Sequence, residues 1–413
     1  MKLARVLLLL LPASLFAADS FALKDGDTVV FYGDSITDQR LYTAFTEAYV
    51  VTRFPNLHVR FVHSGWGGDR VDGGGGGPID KRLQRDVIAY KPTVVTIMLG
   101  MNDGRYRPFD ADTFNAFTTG YTHIVKTLKA ALPGVRITVI QPSPYDDVTR
   151  APQFEGGYNG VLLRFAAWLR DLAAREELTV ADLNTGVVDA LQRARDKDAP
   201  QAAKIIPDRI HPGASGHLLM AEGLLEAWGA PALVASVEID AAAKSLTRSA
   251  GTTVSALEGS ASGVSWTQTD AALPLPIDWK DPLIKLAVDS SDVLQRLDQE
   301  PLTVTGLAAG NYSLTIDGMA AGSFTAAQLA AGINLAQLPG PMLKQAMDVW
   351  QLTNLHNNIH TARWRTVQVP LQKYTLNKAD AAQSALDALE EEITGLQHAA
   401  ALPKPHKFAV TQQ

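Results

Sequence analysis

Between Asp27 and Trp228 the chain alternates between two hydrophobic patterns. Short β-branched runs occur at 28–33 (TVVFYG), 58–65 (HVRFVHSG), 93–100 (TVVTIMLG), 135–142 (VRITVIQP) and 178–183 (LTVADL). Their length and composition predict buried strands. The longer stretches between them carry apolar residues at helical spacing. In 161–174, Leu162, Phe165, Ala166, Leu169 and Leu172 fall on one face, and 114–132 and 216–228 are also predicted to be helical. Strands alternating with helices imply an α/β fold: a parallel sheet covered on both faces, with ligand sites beyond the carboxyl ends of its strands.

After Pro231 the pattern changes. Residues 232–275 are rich in Ala, Ser and Thr, without a long helical period. Residues 302–318 (LTVTGLAAGNYSLTIDG) read as two strands around a Gly310-Asn311 turn, a β-hairpin. Helical spacing returns at 341–365 and 379–396. At the other end, Lys2 and Arg5 precede the apolar run Val6 to Pro12 and then small residues. That is the form of a secretory signal peptide, too short to span a bilayer comfortably. Ala17, Ala18 and Ala22 are its candidate cleavage points. The expected organisation is a signal peptide over 1–22, an α/β domain over 23–230, and a C-terminal α+β appendage over 231–413 with a hairpin and terminal helices. The expected location is periplasmic or secreted, without a stable membrane span.

The 413 residues, 46% hydrophobic and 19% charged, are ample for a core. A net charge of -6 and a pI near 5.9 give no support for nucleic-acid binding. The absence of cysteine excludes disulfides, zinc thiolate sites and a cysteine nucleophile. Export disfavours ATP- or NAD-dependent chemistry and favours hydrolysis.

Four short signals sit at strand ends or before a helix: Gly33-Asp34-Ser35, Gly67-Gly68-Asp69, Gly100-Met101-Asn102-Asp103 and Asp208-Arg209-Ile210-His211-Pro212. Singly each has an ordinary reading. Ser35 with Asp38 has the form of a capping box, Gly68 a loop glycine, Asn102 a turn residue, Asp208 a solvated turn acid and His211 a helix-entry residue. Together they supply a hydrolytic serine site. Ser35 needs a base to become a nucleophile, His211 can be that base, and Asp208 can orient its imidazole. The Ser35 and Gly68 backbone N–H groups and the Asn102 amide can face a developing oxyanion. Activity is expected to fall on the acid side, where His211 gains a proton and ceases to act as base.

In these four blocks, "GDSIT", "SGWGGD", "LGMND" and "DRIHP", the chain from about 27 to 229 resembles the GDSL, or SGNH, hydrolase family. The resemblance places the family's serine, glycine, asparagine and histidine on Ser35, Gly68, Asn102 and His211, with the triad acid on Asp208. Gly67 is the neighbouring alternative to Gly68. It implies a flavodoxin-like three-layer α/β/α sandwich and ester hydrolysis without a metal or cofactor. The α/β-hydrolase elbow G-x-S-x-G is absent, since Thr37 stands two residues after Ser35.

The function expected is an exported serine esterase acting on short-chain acyl esters, acetyl first, of a small molecule or polysaccharide; carbohydrate rests on export and family analogy. A lysophospholipase or thioesterase-type hydrolase and an acyltransferase are alternatives, and a non-catalytic exported binding protein is the alternative of another class. Gly73 to Gly77 lacks the Gly-Lys-Ser/Thr of a P-loop and reads as a flexible loop at the cleft rim. His356 and His360 in "HNNIH" have metal-like i, i+4 spacing without the Glu of H-E-x-x-H, which favours a polar helix face packed on the first domain. Packing is also the preferred reading, over a sugar subsite, for Trp266, Trp279 and Arg363-Trp364-Arg365. Residues 149–159 are a candidate specificity loop.

Overall fold

A computed structural model of the chain describes residues 21–374 and 376–413; the signal-peptide segment falls almost wholly outside them. The five β-branched runs form strands β1 (Thr28–Gly33), β2 (Arg60–Gly65), β3 (Val94–Met98), β4 (Arg136–Ile140) and β5 (Thr179–Ala181). They pair in parallel in the order β2-β1-β3-β4-β5, the flavodoxin-like arrangement. Helices α1 (Leu41–Arg53), α2 (Ile79–Asp86), α3 (Ala111–Ala131), α4 (Gly157–Glu176), α5 (Thr185–Ala202) and α6 (Ala214–Ala227) cover the sheet. Alternate side chains of β1 show the two covered faces. Phe31 meets Tyr42 of α1 and Trp228, whereas Tyr32 meets Arg82 of α2. Burial on both faces explains why the strands read as continuous apolar runs.

The rest of the chain builds a second core around two further sheets. One orders Thr252–Ser260, Gly263–Asp270, His406–Gln412, Asn311–Ile316 and Met319–Thr325; the other orders Ile333–Asn334, Pro301–Thr305, Ser236–Asp240 and Ser245–Ala250. Here the expected hairpin is corrected. Pro301–Thr305 and Asn311–Ile316 lie in different sheets, and Asn311–Ile316 pairs instead with Met319–Thr325. The turn is at Asp317-Gly318, both with positive φ (51° and 78°), which is what a tight two-residue hairpin requires. Trp266 is buried in this core and stacks on Phe408 at 5.1 Å. The Trp279 indole N–H donates to the Ala336 carbonyl at 3.3 Å. Both tryptophans are packing residues.

The second part returns to the first core twice. Ile284, Val288, Val293 and Leu297, on two short helices, join the apolar cluster of the parallel sheet. Helices α7 (Pro341–Thr361) and α8 (Asn377–Ala401) then lie over α1, where Trp350 stacks on Phe45 at 4.4 Å. Arg53, buried, donates to the carbonyls of Pro231, Leu233 and Leu297 at 2.8–2.9 Å. Residue 231 is thus a change of pattern inside a shared interior. Among the described residues no helix is long and apolar enough to cross a membrane.

The glycine run is also not the open loop expected. Gly73–Gly74 pairs antiparallel with Gly77–Pro78. A Cβ on Gly76 would lie 2.6 Å from Arg82 Cδ and 2.7 Å from the Trp66 ring. Close approach, rather than mobility, requires glycine there.

Candidate active site

Strand β1 ends at Gly33, and Asp34 turns the chain into a single helical turn, Ser35–Asp38. The Asp34 carboxylate accepts the Ile36 N–H at 3.0 Å, so the cap is Asp34 and the capping-box reading of Ser35 is corrected. Ser35 is the first helical residue, and its Oγ lies 2.8 Å from His211 Nε2. Burial pushes the Asp34 carboxyl up to about 7.

The histidine comes from the turn before α6. Asp208 Oδ1 accepts the N–H groups of Ile210 and His211 at 2.9 and 2.7 Å, and its Oδ2 lies 2.7 Å from His211 Nδ1. With Nδ1 protonated toward the carboxylate, Nε2 presents its lone pair to Ser35. Burial raises the Asp208 carboxyl, but hydrogen bonds from the His211 amide and ring outweigh it and hold the group below its ordinary range. Residues 146–151 brace this turn. Arg150 donates to the Ile206 and Pro207 carbonyls at 2.9 and 2.6 Å, and the Asp146 N–H donates to the Arg209 carbonyl at 2.9 Å. Arg150 and Ala151, at the start of the candidate specificity loop 149–159, thus also hold the turn that carries the base.

Opposite the serine, Gly67 and Gly68 differ in what their N–H groups do. That of Gly67 donates to Asp38 Oδ2 at 3.2 Å. Those of Gly68, at φ +78°, and Ser35 have no partner among the described residues. After β3, Asn102 Nδ2 donates to the Asp69 carbonyl at 3.0 Å and its Oδ1 accepts the Tyr106 hydroxyl at 2.8 Å. These two bonds fix which end of the amide is the donor and leave one N–H unused. Arg105 and Tyr106 both adopt φ +55°, a conformation costing on the order of 1–2 kcal/mol per residue. Tyr106 packs against Tyr158 at 5.0 Å. The four sequence blocks thus meet at the carboxyl end of β1 and β3, where the strand order reverses, the usual ligand position in such sheets. The site is open: the Asp208 and His211 side chains are 54% and 36% exposed.

A second layer was not legible in the sequence. Arg82 of α2 is wholly buried beneath the site, with Nε 2.7 Å from Asp69 Oδ2, Nη2 donating to the Ser64 carbonyl at 2.9 Å, and a close ion pair to Asp86. Asp86 in turn accepts the Trp364 indole N–H at 2.6 Å. Arg365 stacks its guanidinium 3.6 Å from the Trp66 ring centroid and reaches Asp38 Oδ1 at 3.3 Å. The residues after α7 therefore clamp Trp66 and Asp38, the two neighbours of the Gly67-Gly68 step. Block two signalled Asp69; no spacing rule pairs it with Arg82 or brings Arg365 to Asp38.

With this geometry in hand, comparison with known proteins is informative. The GDSL-like lipase/acylhydrolase family profile matches residues 31–219. An acetylxylan esterase of Geobacillus stearothermophilus is 23% identical over 226 residues, 49% of this chain and 94% of its own length. Its crystal structure aligns with 50% of this chain and 96% of that one, at a TM-score of 0.41. The structure of a gut microbial diltiazem-metabolizing enzyme is 26% identical and aligns at a TM-score of 0.81, covering 95% of this chain and 100% of that one. The likeness therefore includes the C-terminal part.

Proposed function

We propose that this chain, whose residues 31–219 match the GDSL-like lipase/acylhydrolase family profile, is a carboxylic ester hydrolase: an exported serine esterase removing short acyl groups, acetyl first, from carbohydrate hydroxyls. Ser35 Oγ attacks the acyl carbon while His211 Nε2 takes its proton, and Asp208 stabilises the imidazolium. The oxyanion is received by the N–H groups of Ser35 and Gly68 and the free N–H of Asn102. His211 then protonates the departing alcohol, activates a water, and the acyl-enzyme is hydrolysed. The observation that carries this reading is the continuous chain Ser35–His211–Asp208 with unpartnered amide donors beside the serine.

The acetyl and carbohydrate parts rest on the exposure of the base pair, which leaves room for a bulky alcohol, and on the acetylxylan esterase relative. The export part rests on the charged, apolar and small-residue order of residues 1–22. The diltiazem-metabolizing neighbour makes diltiazem a second substrate to test. A panel of chromogenic acetate, butyrate and octanoate esters should show kcat/KM falling with chain length, and acetylated xylo-oligosaccharides should be deacetylated. A preference for octanoate would overturn the short-acyl reading.

Arg365 acts in this scheme as a positioning residue. Arg365→Ala frees Asp38 and Trp66, and with them the Gly67-Gly68 step, so kcat should fall about tenfold with KM little changed. Arg365→Lys keeps the charge near Asp38 but loses the planar stack on Trp66 and should rescue only part of it. A loss confined to KM would instead assign Arg365 to substrate binding.

A further inference from the structure

One group of buried side chains has no part in the chemistry at Ser35. Glu47 on α1, His63 on β2 and His356 on α7 meet between the sheet and the C-terminal helices, and one ligand atom of each lies within 4.8 Å of the others. His63 Nε2 is 2.9 Å from Glu47 Oε2, and His356 Nδ1 is 2.9 Å from Glu47 Oε1. The two imidazoles thus address opposite oxygens of one carboxylate. The second approach is close without being a hydrogen bond: His356 Nδ1 has no aligned partner. Atoms that near, with no proton directed between them, are placed as ligands of a common cation are.

The atoms behind them fit the same reading. His63 Nδ1 lies 2.7 Å from Thr43 Oγ1, His356 Nε2 lies 3.3 Å from Glu390 Oε1, and Glu47 Oε1 accepts from Gln397 at 3.0 Å. Metal-bound imidazoles are oriented in this way, by an oxygen on the ring nitrogen that faces away. Glu390 keeps both carboxylate oxygens, and His360 both ring nitrogens, without a hydrogen bond, although they are 4% and 0% exposed. Buried groups left so are costly. A dication held by Glu47, His63 and His356 Nδ1 would offset the Glu47 charge, with Glu390 behind the His356 ring, 3.3 Å from its Nε2 and 3.5 Å from His360 Nδ1.

We propose that Glu47, His63 and His356 bind a divalent transition-metal ion, zinc by their two-imidazole, one-carboxylate donor set, which joins the C-terminal helices to the parallel sheet. Such a set suits Zn²⁺. The sequence assigned His356 and His360 to packing because no Glu lies between them in the H-E-x-x-H manner. The carboxylates arrive instead from α1 and α8, far along the chain. The ion is structural, since the esterase scheme uses none of these atoms.

The test uses the full chain, stripped by dialysis against a chelator and titrated with Zn²⁺ alone by calorimetry, with Co²⁺ as a spectroscopic substitute. The expected result is one Zn²⁺ per chain, visible ligand-field bands with Co²⁺, and a melting temperature that falls on stripping and returns with zinc. Glu47→Gln and His356→Gln should lose at least about 100-fold in zinc affinity, and Glu390→Gln about 10- to 100-fold. If those variants do not fold, the stripped wild type decides. No zinc heat and no cobalt bands would overturn the proposal, leaving a His356 imidazolium held between two carboxylates as the account of the cluster. Undiminished zinc binding in folded Glu47→Gln and His356→Gln would overturn it as well.

Discussion

Ser35→Ala should lower kcat on a chromogenic acetate ester by roughly 10⁴- to 10⁶-fold and leave the melting temperature unchanged. The two halves of that expectation have separate causes. Ser35 Oγ has one polar partner, His211 Nε2, at the open face of the site. The turn it sits on is capped by Asp34, so its loss removes no helix cap. The chemistry loses its nucleophile outright. His211→Ala should cost about as much, and the double variant little more, because the residues act as a unit. Asn102→Ala removes one oxyanion donor and should cost about 10²- to 10³-fold. A Ser35→Ala protein with wild-type turnover above background would rule out the esterase mechanism; one that also unfolds would assign Ser35 a structural role.

The second large effect is on stability. Arg82→Met keeps the volume of a wholly buried side chain but strips the countercharge from Asp69 and leaves Asp86 with Arg85 alone. Breaking a buried ion pair from one side costs about 3–5 kcal/mol, and Asp69 shows why. Burial raises its carboxyl, and the Arg82 guanidinium is the main counterweight. Asp69 already lies above its ordinary range in the wild type, and without that guanidinium it rises further, so the variant's folded state takes up this proton at a higher pH. Stability of the variant should therefore rise, relative to wild type, as the pH is lowered toward the carboxylate range. Urea unfolding at neutral and at mildly acidic pH would show a deficit that shrinks on the acid side. An equal deficit at both would mean that lost packing against Tyr32, Trp66 and Trp364, not the bare carboxylates, sets the cost.

The parallel sheet was readable because β1 to β4 are buried on both faces and so carry unbroken apolar runs, with turn chemistry at their ends. The candidate site was readable for a related reason. Its residues lie at those ends, in short blocks whose order survives without knowledge of their distances. What failed were pairings over long range. The Gly310-Asn311 step looked like a hairpin turn, yet the chain crosses there between two sheets and turns at Asp317-Gly318 instead. The Gly-Asp step favoured Gly68 over Gly67, and the bond of the Gly67 amide to Asp38 accords with that choice without being legible in the spacing. The clamp of Arg365 on Asp38 joins residues 327 apart, and no local pattern marks it.

The strand His406–Gln412 lies between Gly263–Asp270 and Asn311–Ile316, in the middle of its sheet. During synthesis both neighbours must wait, each with one edge unsatisfied, until residues more than ninety positions later leave the ribosome. Open edges recruit other chains, and pairings this distant form slowly. A chain truncated before residue 406 should therefore leave this sheet as two separate strand pairs, each with an open edge.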